Sequence, residues 1–191
     1  MADDREAELA FIARARKGDG DAYGRLVEMH QDRLYACIVR VVRDEHRAFD
    51  LAQETFVQAF RAIDTYEDRA RFSTWLYRIA MNLITSHHRY ESAQKRGGSQ
   101  GRASLDAEGM LEPGTGERGP AEHVEAADTG AQVRAAIDTL DEEYRTVIVL
   151  RDLQGLSYEE IAEVTNVPPG TVRSRLHRGR EALKDKLKHL V

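Results

Sequence analysis

The chain has 191 residues, a formal net charge of −5, 41% hydrophobic and 32% charged residues, and a single cysteine. Such a composition belongs to a soluble globular protein of one domain or two small ones. Its longest aliphatic run, VIVL at 147–150, falls far short of the roughly 20 apolar residues of a membrane span. The opening MADDREAELAF is acidic and has no basic segment followed by an apolar one, so no secretory signal is expected and the protein should work in the cytoplasm. Cys37 lies in the apolar run LYACIVRVV, where a lone thiol is expected as a small core residue and not as a nucleophile.

No strand-like alternation of useful length occurs, and the sequence reads as all-α. In the first part, helices are predicted near 4–17, 21–42, 47–63 and 73–93, broken at KGDGD, RDEH and DTYEDRAR. In the third of these, Ala52, Phe56, Ala59, Phe60 and Ile63 share one face. Asp50, Gln53, Glu54, Val57, Gln58 and Arg61 share the other. Val57 is the one apolar member of that polar face: a lone exposed apolar residue is common, and it can also anchor a partner. After a loop carrying Tyr66, Ser73 is expected to cap a helix whose inner face is Trp75, Leu76, Ile79, Ala80 and Leu83. Its outer face is predicted to show Tyr77, Arg78, Asn82, Thr85 and Arg89. Aromatic, amide and guanidinium groups beside a loop suit the stacking and edge-bonding of unstacked bases.

Residues 97–130 hold eight glycines and two isolated prolines without apolar periodicity, and read as a flexible linker. Two arginines there face seven carboxylates, so this stretch carries the whole net charge, while residues 1–96 and 131–191 each balance. The balance of the last part conceals a polarity. Residues 131–170 have three basic side chains against eight acidic ones, and residues 171–191 have seven against two.

Helices are predicted here near 131–139, 142–153, 158–165 and 170–188, with Gly155 ending the second. Ser157 and Glu160 form an S-x-x-E capping box that opens the third. A short helix with Ile161, Ala162 and Val164 inward, the stop TNVPPG, and a longer helix directly after it make a helix-turn-helix. Val172, Leu176, Gly179, Leu183, Leu187 and Leu190 recur every three or four residues, so one stripe of the last helix faces a core. The far face then shows Arg173, Ser174, His177 and Arg178, with Arg175 and Arg180 on its flanks and Thr171 at its start. Arginines on a helix that fits the major groove can bond guanine in two places.

The pairing of DLAQETFVQAFRA and TWLYRIA with VIVLRDLQGLSYEEIAEVTNVPPGTVRSRLHRGREAL, in that order and on either side of a polar linker, resembles the extracytoplasmic-function (ECF) class of bacterial RNA polymerase sigma factors. The resemblance implies two small helical domains: sigma region 2 in residues 1–96, and the helix-turn-helix of region 4 in residues 131–191. It implies core RNA polymerase, through its beta-prime clamp and beta flap, and promoter DNA as partners, together with an anti-sigma factor. Clamp contacts would fall to Asp50, Gln53, Glu54 and Arg61. Minus-ten recognition and melting would fall to the loop from Asp64 through Tyr66 to Arg71, with Tyr77, Arg78 and Asn82 behind it. Minus-thirty-five contacts would be Thr171, Arg173, Ser174, His177, Arg178 and Arg180.

A stand-alone helix-turn-helix regulator is the alternative, but a duplex-binding repressor does not need the Asp50, Gln53, Glu54 face beside a loop suited to single strands. An enzyme acting on nucleic acid fits less well. His87 and His88 are adjacent and not at metal-ligand spacing, and no H-x-x-x-H, C-x-x-C or Gly-rich phosphate loop occurs. No cofactor, metal or catalytic residue is expected.

Overall fold

The computed structural model describes residues 2–97 and 123–188, and among these the regular structure is entirely helical. Four helices form the first half: α1 (Ala2–Ala15), α2 (Gly20–Val42), α3 (Glu45–Arg61) and α4 (Phe72–Gly97), with a 3-10 turn at Ile63–Thr65. The starts of α2 and α3 are set by aspartates. Asp19 and Asp44 each accept the backbone N–H three residues on, Ala22 and Arg47, at 3.0 Å, which satisfies donors that a helix start leaves free. Arg43 stops α2 in the left-handed region (φ 58°), its N–H bonded to the Val39 carbonyl. α1, α3 and α4 pack around α2, burying Ile12, Leu26, Leu34, Cys37, Ile38, Leu51 and Leu76. Burial pushes the Cys37 thiol up to about 12, so it is a packed core group as expected.

The second half comprises α5 (His123–Asp138), α6 (Glu142–Ile148), a π-helical turn at Val149–Leu153, α7 (Tyr158–Thr165) and α8 (Pro169–Lys186). Both arms of the predicted capping box are made: the Glu160 N–H donates to Ser157 Oγ at 3.1 Å, and the Ser157 N–H to Glu160 Oε2 at 2.8 Å. α7 ends at Asn166 in the left-handed conformation (φ 53°), and Pro169, whose missing N–H costs nothing in a first turn, opens α8. Val172, Leu176 and Gly179 of the predicted stripe are buried, and Leu183 and Leu187 are half-buried; Leu190 lies outside the described residues.

Gly179 lets α8 approach α6 closely, since a Cβ there would lie 3.0 Å from Ile148 Cγ1 and 3.4 Å from Tyr144 Cβ. Gly179→Val should therefore cost about 1–3 kcal/mol by overpacking, read as a lowered thermal midpoint. An unchanged midpoint would show that the contact relaxes freely.

Several boundaries differ from the sequence reading. Of the linker expected over 97–130, residues 98–122 lie outside the described residues, and the segment from His123 onward is already helical. The helix expected to run from 142 to 153 is α-helical only to Ile148 and then widens. Within the turn the Gln154 N–H reaches back five residues to the Val149 carbonyl at 3.0 Å. α4 begins at Phe72, so Ser73 sits inside its first turn, and the Arg71 carbonyl takes the first helical bond, from the Trp75 N–H at 3.1 Å.

One continuous core joins the two halves. α4 lies against α7, and the end of α2 against α6 and the π turn. The joint is held by Arg145, which is only 4% exposed. Its Nε and Nη2 donate to the Val41 carbonyl at the end of α2 (3.1 and 2.9 Å), and its Nη1 to the Leu140 carbonyl at 2.6 Å. Arg43 returns the contact, donating to the Asp138 carbonyl at 2.7 Å.

Candidate polymerase and promoter interfaces

α3 presents the polar face expected of it. Asp50, Gln53, Val57 and Arg61 are exposed. Glu54 is half-buried, its carboxylate accepting from Gln58 Nε2 and lying against His87 Nε2, both at 3.3 Å. The apolar contribution is larger than Val57 alone. Phe60, expected in the core, is 43% exposed beside Val57 at 48%. Its ring rests on Tyr23 at 4.8 Å, and the Tyr23 hydroxyl donates to the Phe56 carbonyl. The core stripe of α3 instead runs through Ala48, Leu51, Ala52, Thr55 and Ala59, in which three alanines and Thr55 flank one large side chain, Leu51. Val57 and Phe60 thus give the charged face an apolar centre, the arrangement of a protein-docking surface.

The loop after α3 is fastened to the first half. Arg16 donates to the carbonyls of Ile63 and Tyr66, and its guanidinium sits 5.8 Å from the Tyr66 ring centre. Tyr66, expected as a contact for unstacked bases, is 4% exposed. Its ring packs on Phe72 and Trp75 at 5.3 and 5.5 Å, and its hydroxyl donates to the Ala70 carbonyl at 2.8 Å. Burial, with the nearby Asp68 charge, pushes that hydroxyl up to about 12. Asp64, Glu67, Asp68, Arg69 and Arg71 remain exposed around it. On α4, Arg78 and Asn82 are exposed as expected. Tyr77 is not: it is 2% exposed, and its hydroxyl donates to Gln154 Oε1 of the second half at 2.7 Å. The outer face predicted for α4 is corrected at this position. Thr74, Tyr77, Met81 and Ile84 form a second apolar stripe, all buried, and their i, i+3, i+7, i+10 spacing was available in the sequence as the sign that α4 is covered on two sides.

A cavity of about 380 Å³ opens between this loop, α4 and α7, lined by Thr65, Tyr66, Glu67, Arg69, Ala70, Thr74, Trp75, Arg78, Glu163 and Val164.

On α8, Arg173, Ser174, His177 and Arg178 are exposed, and Thr171 is half-buried with its carbonyl accepting from Ser174 Oγ at 3.0 Å. The two flanking arginines are engaged elsewhere. Arg180 makes a two-pronged pair with Asp152 of the π turn (Nη2–Oδ1 2.6 Å, Nε–Oδ2 3.3 Å), and Arg175 pairs with Glu143 at 2.7 Å. The Asp152 bond and charge hold Arg180 above its ordinary guanidinium value. Among the described residues, Arg173, His177 and Arg178 of this face make no ion pair, while Arg175 and Arg180 on its flanks do.

Two known families match separate segments of this chain. The Sigma-70 region 2 family matches residues 26–94, and the family described as Sigma-70, region 4 matches residues 130–183. The chain is 37% identical over 187 residues to the ECF RNA polymerase sigma factor SigW of Bacillus subtilis, covering 94% of this chain and 96% of that protein. It is 35% identical over 187 residues to the ECF RNA polymerase sigma-E factor of Escherichia coli, covering 96% of each. Among solved structures it is similar to CnrH in complex with the cytosolic domain of CnrY (TM-score 0.64, 26% identity, 96% of this chain and 98% of that one). The fold is shared also with RpoE of Bartonella quintana, solved with the anti-sigma factor NepR (TM-score 0.64, 22% identity, 87% and 96%). The chain belongs to the ECF class of RNA polymerase sigma factors.

Proposed function

We infer that the chain divides its work between two domains, residues 1–96 and 131–191, joined by the acidic segment 97–130. The first docks on the clamp of core RNA polymerase through the α3 face of Asp50, Gln53, Glu54, Val57 and Arg61. It then takes the minus-ten strand between the 64–71 loop and the Arg78–Asn82 side of α4. The second places α8 in the major groove of the minus-thirty-five element and rests on the beta flap. The observation that carries this reading is on α8: the flanking arginines pair with acids, while Arg173, His177 and Arg178 are exposed without an ion pair among the described residues and Ser174 is exposed beside them.

The protein acts by binding, without catalysis of its own, in the cytoplasm where polymerase and promoter are. Among the described residues no helix is long and apolar enough to cross a membrane. An anti-sigma factor is a further partner on this reading, and the similar CnrH was solved bound to another protein, the cytosolic domain of CnrY. Run-off transcription with core polymerase on a pool of promoter fragments tests the whole. Transcripts that start downstream of a shared pair of elements are expected, and no transcript above that of core polymerase alone refutes it.

A further inference from the structure

Arg16 follows the last residue of α1, and its backbone is fixed there, the N–H donating to the Ile12 carbonyl at 3.0 Å. Its side chain serves another segment. Nε donates to the Ile63 carbonyl at 3.4 Å and Nη2 to the Tyr66 carbonyl, so a guanidinium gathers in the 3-10 turn Ile63–Thr65 and the residue after it through charge-assisted bonds. The loop that follows is tied down again at Tyr66. The Tyr66 hydroxyl donates to the Ala70 carbonyl at 2.8 Å, and its ring packs on Phe72 and Trp75. On the far side of that cluster, His30 of α2 pairs with Glu8 of α1 at 2.7 Å and brings its ring 5.3 Å from Phe72. Glu67, Asp68 and Arg69 stand exposed between the ties. The tip of the loop is therefore carried on a backbone whose shape is set from outside it, by a side chain 47 and 50 residues earlier.

We propose that Arg16 is a positioning residue for minus-ten specificity: from the end of α1 it holds the 64–71 loop in one shape before DNA arrives, and it touches no base itself. This rests on the assignment of that loop to the minus-ten strand. A loop held in advance binds the correct base without an ordering cost, and it rejects a wrong base because it cannot reshape around it. Without Arg16 the ordering cost falls on the cognate complex, whereas a mismatched strand, which never orders the loop, loses nothing. The ratio between the two shrinks. Freeing the backbone of a single residue corresponds to about tenfold in that ratio.

The test uses the full chain with Arg16→Ala and Arg16→Lys, and Arg69→Ala at the loop tip as a control. Trp75 is the chain's only tryptophan and lies 5.5 Å from the Tyr66 ring, so its quenching by acrylamide in the free chain reports whether the loop has loosened. Holoenzyme made with each variant is then bound to a promoter that the parent holoenzyme transcribes, and to versions with each minus-ten or minus-thirty-five base replaced in turn. Arg16→Ala should raise the quenching constant while helical circular dichroism is kept. It should also lower the preference for the correct base about tenfold at one or more minus-ten positions, and leave the preferences at the minus-thirty-five element and the affinity for core polymerase as they were. Arg16→Lys should fall between, because an ammonium lacks the fixed fork that reaches both carbonyls. Unchanged quenching, an equal loss of affinity on every promoter, or parent-like preferences while Arg69→Ala lowers them at the minus-ten element, each overturns the positioning role alone. If quenching rises and neither Arg16→Ala nor Arg69→Ala alters any minus-ten preference, the assignment of the loop to that strand is removed, and the specificity role with it.

Discussion

Arg145→Met is expected to lower stability by about 2–4 kcal/mol, the largest effect of any single substitution proposed for this chain. The methionine fills the volume of the arginine stem, so packing is largely conserved. What disappears is the fork of three N–H donors. The Val41 and Leu140 carbonyls would then lie in the joint without those donors, and a buried acceptor left unmade costs about 1–3 kcal/mol. Removing a desolvated charge gives part of that back. The guanidinium is itself under strain: burial first, then the Arg43 charge, hold it below its ordinary value against the opposing pull of Glu142, Asp138 and Asp141. Urea unfolding measures the change. A lower midpoint at constant slope is expected, with Arg145→Lys in between because an ammonium cannot serve both carbonyls with the same fixed fork. A midpoint equal to the parent's would mean that water replaces the fork at no cost.

The second large effect concerns division of labour. Arg173→Ala and Arg178→Ala should each cost about 1–3 kcal/mol in binding to a minus-thirty-five duplex, through loss of a base contact, and leave affinity for core polymerase unchanged. Gln53→Ala with Glu54→Ala should do the reverse. Arg180→Ala separates the two kinds of arginine on α8. Its partner is Asp152 and both side chains are largely exposed, at 47% and 38%, so the pair is worth about 0–1 kcal/mol to the fold, and base readout should change little. Fluorescence anisotropy on the duplex and pull-down with core polymerase read the two activities separately. If Arg180→Ala weakens the duplex as much as Arg173→Ala does, the arginine leaves Asp152 when DNA arrives and the sorting described for α8 is wrong.

The features readable in the sequence were those set by neighbours three or four residues apart. Ser157 with Glu160, the stop at Asn166 through Pro169, and the polar face of α3 depend on local hydrogen bonding and helical phase, and each is present in the structure. The failures are long-range. Tyr77 reads as an outer-face residue when α4 is given a single inner stripe. Its partner Gln154 is 77 residues away, and no local period announces it. Tyr66 looked available because it lies in a polar loop, but Arg16, 50 residues earlier, draws the loop inward. Phe60 is the opposite case: a large apolar side chain reads as core, while the buried stripe of α3 is Leu51 with three alanines and Thr55. The start of α5 was hidden by composition, since Gly130 and the acidic run before it read as linker.

The π turn at Val149–Leu153 sets a condition on chain length. It sits partly on the surface, with Leu153 47% exposed, and surface connections ordinarily absorb insertions and deletions. Here the wide turn sets the helical phase at which Asp152 reaches Arg180 of α8 while Gln154 reaches Tyr77 of α4. Deleting one residue would let α6 run on as an ordinary helix, but everything after it would rotate by about 100°, and the two side chains could no longer serve two neighbours at once. This short stretch is therefore fixed in number of residues as firmly as the core is fixed in shape. The alignment of α8 with the first half depends on that count.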